Sequence, residues 1–310
     1  MALLDALRVL TSFDPPDTLP DCDLGELADV LDAHGLAPLA SYQLESRRIG
    51  AQVPVWFRER LLPLYQGTVN DNVFKLVTLK GALRTVDVPV VALDGAAYVD
   101  WLYPHLAFRP IGEPRLAVRG TDGARFAEAM AEAGFGSVTA GEGGHTAAFG
   151  DGRIEIRIQE GLVSGREGDH GLFERTHPYA VLGPTVARPA ADDALLVTVA
   201  DLAEMGLHAP LLLYVDVREL VSSPELRHPG RIEAVKRRAT DAGLERALHG
   251  ACALVGRFFP DAKPFADALA PALGAAARVA VHAVVESASD PAKLRVVRGE
   301  QAAARRIIGP

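Results

Sequence analysis

The side chains with chemistry to offer concentrate between residues 88 and 118, VPVVALDGAAYVDWLYPHLAFRPIGEPRLAV. Asp94 closes a β-branched run, 88–93, and opens a small-residue turn, Gly95-Ala96-Ala97. Glu113 and Arg115 stand at the head of a second run, 115–118, with Arg109 before them and Arg119 after. A buried strand feeding a small-residue turn and then a second strand is a common way to build a site at the edge of a sheet. Residues two apart on a strand share a face, so Glu113 and Arg115 point the same way, about 6–7 Å apart. They can pair with each other or with Asp94, while Arg109 and Arg119 can grip a phosphate or make weak surface pairs. Farther on, Arg153, Glu155 and Arg157 share one face of a third run, 153–158, and Ile154, Ile156 and Ile158 share the other.

Other constellations carry less. His170 and His177, near Glu167, Asp169 and Glu174, lack a recognised metal-ligand spacing. Ser137 and Ser164 have no nucleophile-elbow context, and no complete Gly-x-Gly-x-x-Gly follows a strand. Cys22 and Cys252 match no ligand pattern and read as small, reduced hydrophobes. The basic run Lys236-Arg237-Arg238 reads as a solvated helix face.

The 88–118 frame resembles the core motif of the uncharacterised nucleotidyltransferase family within the DNA polymerase beta-like superfamily. Its members read roughly Leu-Leu-Lys-Gly-Ala-Ala-Leu, then Tyr-Pro, then Leu-Arg-Pro-Met-Gly-Asp-Ile-Asp-Leu-Leu-Val. Here the matching residues are Ala92-Leu93-Asp94-Gly95-Ala96-Ala97-Tyr98, Tyr103-Pro104, and the run from Phe108-Arg109-Pro110 to Glu113-Pro114-Arg115 and Val118. Residues 211–220 resemble the family's Leu-Val-Asp helix, with Asp216 at the matching position. The resemblance spans about residues 35–259 and is most specific at 92–118.

It implies in-line attack on the α-phosphate of a nucleoside triphosphate, with metal ions clamped by carboxylates. Gly95 and Ala96 would open a helix whose amides face the phosphates. The resemblance makes Glu113 the first acid of the metal pair, Arg115 the occupant of the second acid's place, and Glu155 the candidate third acid. Glu155 reads equally well as an ordinary solvated strand residue. The frame is kept and its centre is changed. Asp94 stands where the family has lysine, and Arg115 turns a ligand into a cation. At about 5 Å and an effective dielectric of about 20, one guanidinium repels Mg²⁺ by roughly 6–7 kcal/mol, an upper figure because arginine can swing away. Pro114 removes a ladder donor, which predicts an edge strand or a bulge there.

The elements that must hold these residues follow from pattern. The chain has 310 residues, 49% of them apolar, enough for one large or two small domains with a sizeable core. A net charge of −8 argues against general nucleic-acid binding. The start, MALLDALRVL, reads as an amphipathic helix and not a signal peptide, and no apolar run is long enough to span a bilayer. A cytoplasmic protein is expected, and the excess of arginine over lysine with abundant alanine points to a GC-rich bacterial genome. Helices are predicted over 1–10, 24–34 (capped by Asp23 and stopped by Gly35), 35–45, 56–64, 68–85 and 122–133 with Asp122 as cap. A hairpin turns at Gly150-Asp151-Gly152, and 141–144 is a loop. Residues 161–191 read as a long loop with one short strand near 180–182. From 192 onward all is helix, in segments 192–203, 211–220, 232–242, 244–258, 263–273 and 278–287.

These readings converge on an α+β protein: a small mixed-sheet nucleotidyltransferase-like core, 88–190, flanked by helical regions 1–87 and 191–310. Strands 88–93, 116–118 and 153–158 should share one sheet and bring Asp94, Glu113, Arg115 and Glu155 to one cleft. Two functions stand open. One is a degenerate nucleotidyltransferase, a binding or regulatory module with no cofactor. The other is an active enzyme transferring a nucleoside monophosphate from a triphosphate to a protein or small-molecule acceptor, with Mg²⁺ on Glu113 and Glu155. The expected partner is a protein or a nucleotide, with no membrane.

Overall fold

A computed structural model describes residues 2–138, 147–163, 171–291 and 298–309. The expected loop at 141–144, together with Ser164, Glu167, Asp169 and His170, lies outside the described residues. The described chain separates into two compact units. One comprises residues 1–69, 107–109 and 198–310; the other comprises 70–106 and 110–197.

The first elements are α1 (Ala2–Thr11), α2 (Leu24–Ala33), α3 (Ala37–Ser46) and α4 (Val55–Ala82). Asp23 caps α2 by accepting from the amides of Gly25 and Glu26, and Gly35, at φ 69°, takes the left-handed turn that ends it. The sequence predicted two helices, 56–64 and 68–85; the structure has the single helix α4, with Pro63 inside it. Proline removes one main-chain bond and costs about 3 kcal/mol, so packing must offset it. Phe57, Leu61, Asn72 and Leu79 are each fully buried along α4.

The second unit holds a sheet. Its strands are β1 (Val90–Leu93), β2 (Arg115–Ala117), β3 (Gly136–Val138), β4 (Ala147–Gly150), β5 (Glu155–Gln159), β6 (Thr176–Pro178) and β7 (Val186–Pro189). Their order is β3-β4-β5-β2-β1-β7-β6. The short α5 (Asp94–Tyr98) follows β1, and α6 (Gly123–Glu132) follows β2. All four residues of β1 are buried, as a central strand covered on both faces requires. β2 runs antiparallel to β1 and parallel to β5, while β7 runs parallel to β1. Strands 88–93, 116–118 and 153–158 therefore do share one sheet, and the α+β class stands.

Three local expectations are corrected. β2 is internal, between β1 and β5, and not an edge; Pro114 only precedes it, and its carbonyl accepts from the Arg157 amide at 2.9 Å. The expected strand near 180–182 is instead a turn between two strands, β6 and β7, whose shortness leaves no period to read. Asp122 makes no side-chain cap on α6, because residues 120–122 are already wound into a 3₁₀ turn. β3 was not anticipated. The hairpin between β4 and β5 is present, with Gly152 at φ 80°.

From residue 191 the described chain is helical: α7 (Ala191–Glu204), α8 (Leu211–Ser222), α9 (Pro229–Asp241), α10 (Glu245–Phe258), α11 (Lys263–Leu269), α12 (Ala275–Ser287) and α13 (Arg298–Ile308), the last unanticipated. In the helical unit His34 staples α8: its Nδ1 accepts from the Leu211 amide and its Nε2 donates to the Pro291 carbonyl. Among the described residues no helix is long and apolar enough to cross a membrane.

Candidate functional site

In the sheet unit, one end of the central strands collects the charged residues. β1 ends at Leu93, whose register partner is Arg115, the first residue of β2. Arg115 in turn faces Arg157 across the β2–β5 ladder. Two cations directly opposite each other on neighbouring strands repel, so carboxylates must gather around them. They do. Asp94, just past β1, pairs with Arg115 at 3.8 Å. Glu113 pairs with Arg157, and Glu155 reaches the same guanidinium at 3.6 Å. Arg115 is the most enclosed of the five, its side chain 9% exposed, whereas Glu113 is 48% exposed.

Local folding explains each placement. Asp94 has φ 52°, a left-handed conformation that costs an ordinary residue roughly 1–2 kcal/mol but that Asp tolerates. That bend turns the chain from β1 into α5, so that Asp94 meets Arg115. Gly95 and Ala96 are buried in the first turn of α5, and the Ala96 carbonyl accepts from the Tyr179 hydroxyl at 3.0 Å. Burial pushes the Tyr179 hydroxyl well above its ordinary value, so it stays protonated and keeps donating. The Tyr98 hydroxyl, at the other end of α5, donates to the Ala194 carbonyl at 3.0 Å. On β5 the expected alternation holds: Ile156 and Ile158 are buried, while Glu155 and Arg157 are half-buried on the other face.

The arrangement thus brings Asp94, Glu113, Arg115 and Glu155 together, and adds Arg157. The sequence placed Arg157 on the face of Glu155 but did not single it out; its register opposite Arg115 was the signal, and register appears only once strands pair. Each of the three carboxylates is engaged by a guanidinium. A divalent ion on Glu113 and Glu155 would have to displace Arg157 and sit beside Arg115. Among the described residues no three His, Cys, Asp or Glu side chains are grouped to hold a metal ion.

The remaining candidates lie elsewhere. Arg119 donates to Glu174 at 2.7 Å and stacks on the Phe173 ring at 4.6 Å. Arg109 belongs to the helical unit, where its side chain is 4% exposed and meets a fully buried Asp216 at 2.9 Å. Its Nε lies 3.4 and 3.3 Å from the two oxygens of the same carboxylate. Asp193, in the first turn of α7, is buried against Arg175 at 2.8 Å. Burial pushes the Arg175 guanidinium down, but the Asp193 carboxylate outweighs it and holds it above its ordinary value. Cys252 is buried, which pushes its thiol up to about 12 and leaves it inert.

Residues 20–260 match the family model described as uncharacterised nucleotidyltransferase. No curated protein and no solved structure matches the chain.

Proposed function

The chain belongs to the uncharacterised nucleotidyltransferase family, and we propose that it is a pseudo-nucleotidyltransferase, a binding or regulatory module on a frame that has exchanged metal chemistry for ion pairs. The observation that carries this is the pair Arg115 and Arg157, facing each other across β2 and β5 at the mouth of the cleft. In a metal-dependent transferase the carboxylates of this place hold dications that neutralise charge on the attacking and leaving oxygens. Here guanidinium groups take that place, and each would repel Mg²⁺ by up to roughly 6–7 kcal/mol at about 5 Å. Asp94 adds a negative charge where the family's lysine would meet phosphate. The charges of the cleft nearly cancel, and both of its guanidinium groups are engaged by carboxylates instead of facing a triphosphate. The partner of such a module is a protein or a nucleotide bound without metal.

The test is titration calorimetry of the intact protein with Mg²⁺, Mn²⁺ and each nucleoside triphosphate, beside incorporation of label from an α-labelled triphosphate. The expected result is no label transfer to the protein or to generic acceptors.

One observation favours a second reading. Glu113 and Glu155 converge on a single point, the Arg157 guanidinium. If that side chain swings out, the two carboxylates can share one Mg²⁺. Label transfer that is abolished by Glu113→Ala would establish this active form and sink the first reading.

A further inference from the structure

The helical unit contains a cavity of about 420 Å³ between α10 and α12, within the range of small-ligand sites. Its floor is apolar, the buried Val281 and Val285, one turn apart on α12, and the exposed Ala253 of α10 lines its side. Arg278 and His282, spaced i and i+4, bring their polar groups to the same face of α12, and His249 faces them from α10. Val279, 71% exposed, forms part of the rim.

The polar groups narrow the ligand. Arg278 is exposed and makes no ion pair or side-chain hydrogen bond among the described residues. An arginine on an acidic protein, at the mouth of an apolar cavity, is a fork for one oxyanion. His249 Nδ1 lies 2.8 Å from the Pro271 carbonyl, which can only accept, so Nδ1 carries a proton and is committed to the backbone. The lining offers one permanent cation, Arg278, half of what a phosphate dianion would need. A carboxylate is matched by the one guanidinium, and the valines suit a short hydrocarbon body.

We infer that this cavity is a binding site for a small apolar monocarboxylate, its head on Arg278 and its chain against Val281 and Val285. The site is independent of the cleft between β1, β2 and β5 and of its reading.

The experiment titrates octanoate into the intact protein by calorimetry, with 1-octanol and octyl phosphate as comparisons of equal chain length. Saturable one-to-one binding of octanoate is expected, tighter than either comparison. Arg278→Ala should weaken octanoate roughly tenfold or more, the loss of one charge-assisted contact, and leave octanol unchanged. Val279→Trp, at an exposed position that does not threaten the fold, should obstruct entry and weaken all three. Absence of saturable octanoate binding overturns the proposal, as does octanoate binding that Arg278→Ala leaves unaltered. Tighter binding of octyl phosphate than of octanoate overturns the carboxylate assignment.

Discussion

Two arginine–carboxylate clusters in this protein use the same chemistry to opposite ends. In the helical unit Arg109 and Asp216 form one pair, buried almost completely. In the sheet unit Arg115 and Arg157 meet Asp94, Glu113 and Glu155 at a partly open cleft. The buried pair joins two positions at which the sequence resembles the family, the Arg109-Pro110 of the core motif and the Asp216 of the Leu-Val-Asp helix. The open cluster includes Asp94 and Arg115, the positions at which the sequence reading expects a departure from the family pattern. Burial accounts for the difference. A charge enclosed in protein cannot lose its partner without a large desolvation penalty, so neither residue can change alone. A half-exposed charge keeps its water when a partner changes, so substitutions at the cleft mouth are cheap to the fold.

The largest effect should follow from Asp216→Ala, which takes the carboxylate away from the enclosed Arg109. A loss of about 3–5 kcal/mol in unfolding free energy is expected from urea denaturation. Arg109→Leu combined with Asp216→Leu should recover much of it, since a matched apolar pair removes both buried charges. A loss below about 1 kcal/mol for Asp216→Ala would erase the contrast between the two clusters.

Next in size is the conversion of the cleft. Arg115→Asp alone leaves Arg157 held by Glu113 and Glu155, so it should give little Mg²⁺ binding. Arg115→Asp with Arg157→Ala removes both cations and supplies a ligand, and calorimetry should then detect Mg²⁺ with at least roughly a tenfold gain over the parent. Adding Asp94→Lys should improve triphosphate affinity by about 1–3 kcal/mol. No gain in the combined variant, with circular dichroism unchanged, would mean that the cleft geometry and not its charge excludes the metal.

Arg157→Ala by itself should change stability by less than about 1 kcal/mol, because its pairs with Glu113 and Glu155 are partly solvated. A loss as large as that of Asp216→Ala would show that the cleft cluster also holds the fold together.

The smallest effect concerns the turn that delivers β5. Burial raises the Asp151 carboxyl, but the amides of Ile154 and Arg153 and the Arg153 guanidinium outweigh it and hold it below its ordinary value. A lowered carboxylate contributes stability above its unfolded value and loses it as pH falls through the folded one. Asp151→Ala should cost a few tenths of a kcal/mol at neutral pH and flatten the acid limb of the stability curve, with no effect on Mg²⁺ binding.

Much of this protein is legible in its sequence because the information is local. Asp23 and Gly35 bracket α2 through their own hydrogen bonds and backbone preference. The Ile154, Ile156 and Ile158 alternation settles which face of β5 is buried. The β-branched run before Gly95 marks the central strand. Tertiary structure decided what depends on distant partners. The Pro63 helix continues because buried residues along α4 offset the lost bond, and periodicity does not reveal that offset. β6 and β7 are too short to announce themselves and exist because β1 provides a ladder. Arg157 became a cleft residue only when the β2–β5 register set it opposite Arg115. Arg109, which as a sequence reads as a phosphate contact or a weakly paired surface arginine, is placed against Asp216, 107 residues away, because a guanidinium shut away from water needs a carboxylate beside it.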